Sequence, residues 1–182
     1  YSSKRNNKLS NLKEKDLIGI PWMLAFALRQ DGWFLRQDII WHKPNPMPES
    51  VRDRCTKAHE YIFLLSKSKK YYYDNIAIKE PVKQDWGTRN RTAGKYHNAG
   101  TGLQPHSGLT KSYTTKNKRS VWSITNKPYK HAHFATFPPD LIEPCILAGS
   151  KEGDIVLDPF MGSGTTAMVS KQHNRHFIGC EL

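Results

Sequence analysis

The chain has 182 residues and a formal net charge of +12, because 28 Lys and Arg residues stand against 16 Asp and Glu residues. This length suits one domain, or one domain with a large insertion, and the charge favours a polyanionic partner. We predict no membrane segment, since the longest apolar run, Leu17 to Leu28, contains Pro21 and falls short of the ~20 residues that a span requires.

The cysteines and histidines predict no metal or disulfide chemistry. Cys55, Cys145 and Cys180 are far apart and form no Cys-x-x-Cys pair, which argues against a disulfide framework and a zinc site and fits a reducing cytoplasm. His131 and His133 are two residues apart, but no third ligand is spaced to complete a metal site.

The first predicted elements are a helix and a strand. Residues 1–15 are polar and lack a hydrophobic period, so we interpret them as a loop or a frayed end. A helix is predicted from Pro21 to Gln30, because proline suits a first helical position and Asp31-Gly32 suits a stop. Phe34 to Trp41 alternates and then becomes apolar, which predicts a strand.

A proline-rich arm, residues 42–48, follows this strand. Its three prolines remove amide donors and hold the backbone extended, which makes a stiff arm beyond the strand's carboxyl end. A rigid surface turn would explain the prolines, but ligands of open α/β sheets bind at this edge. We therefore favour a wall of the substrate site. The predicted substrate contacts are Trp41, His42, Lys43 and Asn45, which offer stacking and hydrogen-bonding surface, with Arg52 and Arg54 in the next segment.

The middle of the chain combines strands with a basic segment. Glu60 to Leu65 predicts a strand, and Tyr71 to Asp74 predicts a short one, antiparallel to it because only a brief turn intervenes. From Pro81 to about Lys118 there is no hydrophobic period, and many basic side chains are interleaved with a few scattered aromatic ones. The bases there include Lys83, Arg89, Arg91, Lys95, Lys111, Lys116, Lys118 and Arg119. This composition suits contact with a nucleic-acid backbone, and it is also consistent with a solvated loop.

The last part of the chain predicts alternating strands and helices. Val121 to Ile124 predicts a short strand, and a helix is predicted from Asp140 to Ala148, in which Pro144 should introduce a kink or mark the first turn. Ile155 to Leu157 predicts a buried strand that stops at Asp158, and a further helix should begin at Thr165.

A glycine turn joins that strand to that helix. Gly162 and Gly164 permit positive φ, so a ligand could lie against the backbone and the helix's N-terminal amides. The turn lacks the lysine of a P-loop and the third glycine of a dinucleotide fingerprint. A strand from Phe177 to Cys180 then ends at Glu181, whose carboxylate suits a ribose diol. The pattern therefore predicts a nucleoside cofactor that is neither a triphosphate nor a dinucleotide.

These residues resemble a known family. The run Asp158-Pro159-Phe160-x-Gly162-Ser163-Gly164-Thr165-Thr166, followed by Glu181, is similar to the S-adenosylmethionine site of DNA amino-methyltransferases, which modify the exocyclic nitrogen of adenine or cytosine. A turn without a ligand would not require the whole set together. The resemblance implies that these residues bind S-adenosylmethionine, and that His133, Ala135 and Phe137 flank its methionine end.

The resemblance covers most of the chain outside the basic segment. It implies an α/β, Rossmann-like methyltransferase fold built on one sheet, in the family's beta arrangement, where the catalytic half precedes the cofactor half. Residues 1–80 would belong to the catalytic half, residues 81–120 would be an inserted target-recognition region, and residues 121–182 would bind the cofactor. The implied partners are double-stranded DNA, with the target base rotated out of the duplex, and a cognate restriction endonuclease.

One family motif is missing. The catalytic motif is an Asp, Asn or Ser followed by Pro-Pro and an aromatic residue, whereas the only Pro-Pro here, Pro138-Pro139, lies between Phe137 and Asp140. In the beta arrangement the motif would lie upstream of Tyr1, so we expect an internal piece of a longer enzyme, with no catalytic residue of its own. Two alternatives are a methyltransferase acting on structured RNA and a non-catalytic DNA-binding remnant. Competition between RNA and duplex DNA would test the first, and failure to bind S-adenosylmethionine would support the second.

Overall fold

The computed structural model describes residues 12–82, 114–126 and 136–181. In chain order the elements are α1 (Ile20–Gln30), β1 (Phe34–His42), β2 (His59–Ser66), β3 (Glu80–Pro81), β4 (Thr115–Lys116), β5 (Val121–Ser123), α2 (Pro139–Gly149), β6 (Ile155–Asp158), α3 (Thr165–Gln172) and β7 (His176–Gly179). The predicted helices and most predicted strands are confirmed, with ends that move by one or two residues. None of the helices in these ranges is long and apolar enough to cross a membrane.

The predicted strand from Tyr71 to Asp74 is wrong. This segment has no strand pairing; instead the amide of Asp74 donates to the carbonyl of Ala148 at the end of α2, 2.9 Å away. The Asp74 carboxylate then accepts the amides of Ile76 and Ala77. An aspartate that bonds the amides two and three residues ahead forms a turn, and this local bonding competes with strand pairing.

The largest sheet has the strand order β2-β1-β5. β1 pairs antiparallel with β2 along its whole length and parallel with β5 at its carboxyl end, where Trp41 faces Trp122. α1 covers this sheet through Ala25, which is buried, and through the Trp22 ring, which lies 4.9 Å from the ring of Phe63. Proline lies at the second position of α1, one residue later than the first helical position that the sequence predicted.

The hydrophobic core lies between this sheet and α2. Its buried members are Ile39, Trp41, Trp122 and Leu141. Burying a side chain of this size is worth ~2 kcal/mol, so these contacts fix α2 against the sheet. α2 continues without a break across Pro144, which is buried within it. The prediction that Pro144 marks the first turn is therefore wrong, because the helix already begins at Pro139.

The second unit is a parallel strand–helix–strand arrangement of β6, α3 and β7. Arg175, which precedes β7, ties it to α2 by donating to the Ser150 carbonyl across 2.8 Å, and His173 lies 2.8 Å from Glu143. The resemblance implied one sheet, whereas the described strands form three separate sheets. Within the described ranges β6 pairs only with β7, and Ile155 and Leu157 are exposed, so the strand predicted there is confirmed but its predicted burial is wrong.

Candidate functional site

The glycine turn connects the end of β6 to the start of α3. Gly162 and Gly164 have φ values of 53° and 80°, which a residue with a side chain rarely adopts. A Cβ placed on Gly164 would meet no heavy atom within 4 Å, so the space beside this glycine is open. The two glycines are therefore required by the backbone conformation of the turn, as the sequence predicted, and the space beside Gly164 leaves room for a ligand.

Asp158, at the end of β6, is held from both sides. Its Oδ1 accepts the amide of Phe160 across 3.0 Å, and its Oδ2 accepts the hydroxyl of Thr166 across 2.5 Å. Thr166 is buried in the first turn of α3, and neighbouring hydroxyls of Ser163 and Thr165 lie 3.2 Å apart. This network joins strand, turn and helix, so the carboxylate has a fixed orientation before any ligand arrives.

Glu181, directly beyond β7, lies against the same turn. Its Oε2 accepts the amide of Gly162 across 2.6 Å. Backbone bonds support the contact, since Met161 donates to Cys180 and Cys180 donates to Asp158, across 2.9 and 3.0 Å. The sequence placed a carboxylate at this strand tip, and the structure brings it to the turn as expected. The bond to Gly162 was not predicted, because a pairing across 19 residues has no local sequence signal.

An apolar cleft of about 460 Å³ opens between α2 and β6. Phe137 lines it together with Asp158 and Thr166, so the structure brings Phe137 to the predicted cofactor residues. The ring of Phe160 is 84 % exposed beside the turn. His133 and Ala135, the other two residues of the Phe137 motif, lie outside the described residues.

The predicted substrate arm divides into core and surface residues. Trp41 is 5 % exposed, and its Nε1 donates to the carbonyl of Ile124 across 2.9 Å. Its prediction as a stacking surface is therefore wrong: strand β1 points its ring into the core. His42 Nδ1 lies 3.0 Å from the Ser123 hydroxyl, and Asn45 is exposed. Lys43 lies 4.4 Å from the centre of the Trp41 ring and is paired with Glu60.

A polar cleft of about 360 Å³ lies at the base of this arm. Its lining includes Lys43, Glu49, Lys57 and His59. The Arg54 guanidinium bonds Glu49 across 2.6 Å and holds the pKa of that carboxyl below its usual value. Sequence reasoning missed that Glu49, Glu60 and His59 line a cleft. Neither a single histidine nor acids within a basic region indicate a cleft in the sequence. Arg52 is exposed on the same segment.

Lys118 and Arg119 lie between β4 and β5. The Lys118 ammonium is 4.9 Å from the centre of the Trp122 ring, and Arg119 pairs with Glu80 of β3 across 3.2 Å. Burial acts to raise the pKa of Glu80, but the hydrogen bonds and charge of Arg119 outweigh it and lower that pKa. Arg119 therefore also ties the β3–β4 ribbon to the main sheet. Most of the predicted recognition segment, residues 83–113, lies outside the described residues.

Together the parallel strand–helix–strand unit, the glycine turn and the carboxylate at the next strand tip define a Rossmann-like nucleoside-cofactor site. Comparison with known proteins identifies the family. A family model described as DNA methylase, of the N6/N4 methyltransferase type, matches residues 3–182. The chain belongs to this family of DNA methylases.

Its relatives include named Type II methyltransferases. The chain is 52 % identical to methyltransferase M.Cfr9I of Citrobacter freundii over 171 residues, which cover 94 % of the chain and 48 % of that protein. It is 51 % identical to M.SmaI of Serratia marcescens, over 94 % of the chain and 50 % of that protein. The chain thus spans about half the length of these relatives.

Solved methyltransferase structures share the fold. The M1.HpyAVI–SAM complex matches with a TM-score of 0.59 and 24 % identity, over 91 % of this chain and 65 % of that chain. The cytosine-N4-specific PvuII DNA methyltransferase matches with a TM-score of 0.63 and 19 % identity, over 95 % of this chain and 56 % of that chain. These likenesses confirm the predicted Rossmann-like methyltransferase fold. The first was solved with S-adenosylmethionine, in agreement with the cofactor that the motif predicts.

Proposed function

We propose that this protein is a site-specific DNA methyltransferase of Type II, which transfers a methyl group from S-adenosylmethionine to an exocyclic amino group, N4 of cytosine or N6 of adenine, in duplex DNA. The observation that carries the proposal is the pair of carboxylates on either side of the glycine turn. Asp158 is held by Phe160 and Thr166, and Glu181 by Gly162, so both are oriented in advance. Preorganised polar groups are what a cofactor site needs in order to bind without a costly rearrangement.

The chain's residues fit S-adenosylmethionine by the chemistry of their side chains. Glu181 offers carboxylate oxygen to a ribose diol, and the exposed ring of Phe160 offers an apolar surface beside the turn. Asp158 and Phe137 line the adjoining cleft, where the methionine portion would lie. When bound, the cofactor supplies an electrophilic methyl group on a sulfonium. The task of these residues is to orient it, because in-line transfer is mainly a positioning problem.

Duplex DNA is the proposed substrate, and its target base must leave the stack. Extrusion of a base costs a few kcal/mol, which protein contacts offset. The surface beyond the end of β1 supplies candidates for these contacts: His42, Asn45 and Arg52. Four further basic side chains offer positive charge for contacts with DNA, and each also pairs with an acid or an aromatic ring of the protein: Lys43, Arg54, Lys118 and Arg119. The central basic segment, residues 81–120, is the proposed target-recognition region between the two halves.

The group that holds the target amino nitrogen is proposed to come from outside these 182 residues. The family's Pro-Pro-aromatic motif is not matched by Pro138-Pro139, which instead begins α2. The isolated 182-residue chain should therefore bind S-adenosylmethionine without transferring its methyl group. Robust turnover by this chain alone would contradict that assignment.

The experiment that tests the function uses the full-length protein with radiolabelled S-adenosylmethionine. Label should appear in duplex DNA, and nucleoside analysis should find N4-methylcytosine or N6-methyladenine. The matched control is structured RNA of equal length. Transfer to RNA in preference to DNA would favour an RNA methyltransferase, and absence of cofactor binding would favour a non-catalytic remnant. Protection of the methylated DNA against a restriction endonuclease of the same system would test the proposed partner.

A further inference from the structure

Met161 occupies the one position that the family motif leaves open, and its side chain packs directly on Gly179 of β7. A Cβ built on Gly179 would lie 2.2 Å from Met161 Cε, 3.0 Å from its Cγ and 3.2 Å from its Cβ. The backbone of Gly179 does not have the positive φ that would by itself require glycine. A larger residue at Gly179 would therefore meet the methionine side chain: the terminal Cε can swing away, whereas Cγ and Cβ, close to the backbone, would have to shift by a few tenths of an ångström.

The backbone of Met161 is fixed as well. Its amide donates to the carbonyl of Cys180 across 2.9 Å, and its carbonyl accepts the amide of Gly164 across 3.0 Å. One residue earlier, the amide of Phe160 bonds Asp158; one residue later, the amide of Gly162 bonds Glu181. Each neighbour of Met161 thus holds one of the two carboxylates, so a displacement of Met161 would disturb both.

We propose that Met161 is a positioning residue for cofactor binding: its side chain, seated on Gly179, sets the separation between the glycine turn and the tip of β7. This inference rests on the proposed function, in which Asp158 and Glu181 bind S-adenosylmethionine. Packed contacts resist even one added methyl group, and the cost appears as displaced side chains and backbone. Here the displaced segment contains the backbone amides of Phe160 and Gly162, which donate to the carboxylates of Asp158 and Glu181.

The test is a pair of substitutions in the full-length protein. Gly179→Ala adds one methyl group against Met161 and should weaken S-adenosylmethionine binding by about tenfold, measured by titration calorimetry. Met161→Ala removes Cγ and Cε, the two closest obstructing atoms, and leaves only Cβ, so the double variant Gly179→Ala/Met161→Ala should bind as the Met161→Ala variant does. The matched control is Met23→Ala, because this methionine lies on α1, is 59 % exposed and lines neither the cleft nor the glycine turn; its affinity should equal that of the wild type.

Steady-state kinetics separate positioning from a general loss of folded protein. In the Gly179→Ala variant the KM for S-adenosylmethionine should rise by about tenfold while the KM for DNA stays unchanged. A merely structural effect would lower the active fraction and leave both KM values as they were, which would overturn the proposal. If Gly179→Ala does not fold, recovery of folding and binding in the double variant supports the proposal, and failure to recover overturns it.

Two outcomes distinguish this inference from the function on which it rests. Absence of cofactor binding by the wild-type protein would contradict the cofactor assignment itself. Normal wild-type binding together with an unaffected Gly179→Ala variant, or with a double variant that binds more weakly than Met161→Ala alone, would contradict only the role of Met161.

Discussion

The hydroxyl of Thr166 donates to Oδ2 of Asp158 across 2.5 Å, and Thr166 is only 4 % exposed. This bond joins the end of β6 to the first turn of α3, eight residues later. A hydrogen bond to a charged group in a water-poor place is stronger than one at the surface. It gives the last residue of the strand a defined orientation, which a free aspartate at a strand end would not have.

Thr166→Val should weaken S-adenosylmethionine binding by about fivefold and lower the free energy of unfolding by ~1–2 kcal/mol, because the shape is kept while the donor is lost. Thr166→Ser keeps the hydroxyl and should restore most of the affinity. Calorimetric titration and urea unfolding measure the two effects. Equal affinities for the valine and serine variants would show that the hydroxyl is unimportant.

Asp158→Ala should reduce affinity for S-adenosylmethionine and leave affinity for duplex DNA nearly unchanged, since the Asp158 carboxylate bonds Phe160 and Thr166 of the turn and of α3. The measurements are calorimetry for the cofactor and fluorescence anisotropy for DNA. Asp158→Asn, which retains an oxygen for the amide of Phe160, serves as the milder control. An equal loss of both affinities would mean that the substitution unfolds the domain.

Replacing Lys118 and Arg119 together by alanine should lower the salt dependence of DNA binding, because each phosphate contact contributes about one unit of slope in log affinity against log salt. Arg119 is partly engaged by Glu80, so we expect Lys118 to account for the larger part. Anisotropy titrations at several salt concentrations give the slope. Lys171→Ala, on α3, is the control for the single variant Lys118→Ala, since each removes one lysine charge. An unchanged slope in the double variant would remove both residues from the interface.

Cys145 should be the slowest of the three cysteines to react with a thiol reagent at pH 8. Burial raises the pKa of its thiol to about 11, so almost no thiolate is present, whereas Cys55 and Cys180 are exposed. Peptide mapping by mass spectrometry after brief alkylation would measure the order of reaction. Modification of Cys145 as fast as that of Cys55 would contradict the burial.

The same pKa shift makes stability depend on pH in the alkaline range. The folded pKa lies above that of the unfolded chain, so the contribution of the neutral thiol is fully present below about pH 9 and is lost as the pH rises toward 11. Unfolding curves between pH 8 and 11 should show this decline, and Cys145→Val should reduce it. A decline of equal size in the valine variant would assign it to other groups.

Local sequence signals predicted the elements whose ends carry distinctive residues. Pro21 and Asp31-Gly32 placed the ends of α1 within a residue or two, and the Asp158–Thr165 segment placed a strand end, a turn and a helix start correctly. Tyr71 to Asp74 was misread because strand propensity is weak evidence where an aspartate can bond the amides that follow it. Trp41 was misassigned because an apolar aromatic residue near a strand end gives no sign of which face it occupies.

The sequence by itself determined the cofactor motif, its elements and the positive charge, since these depend on residue type and on spacing over a few positions. Only the tertiary structure decided how the charges and carboxylates are used. Glu181 meets Gly162 across 19 residues, Arg119 meets Glu80 across 39, and Met161 rests on Gly179 of the neighbouring strand. Such contacts arise from the way strands and helices pack, and each partner taken alone in the sequence is an ordinary acid, base or glycine.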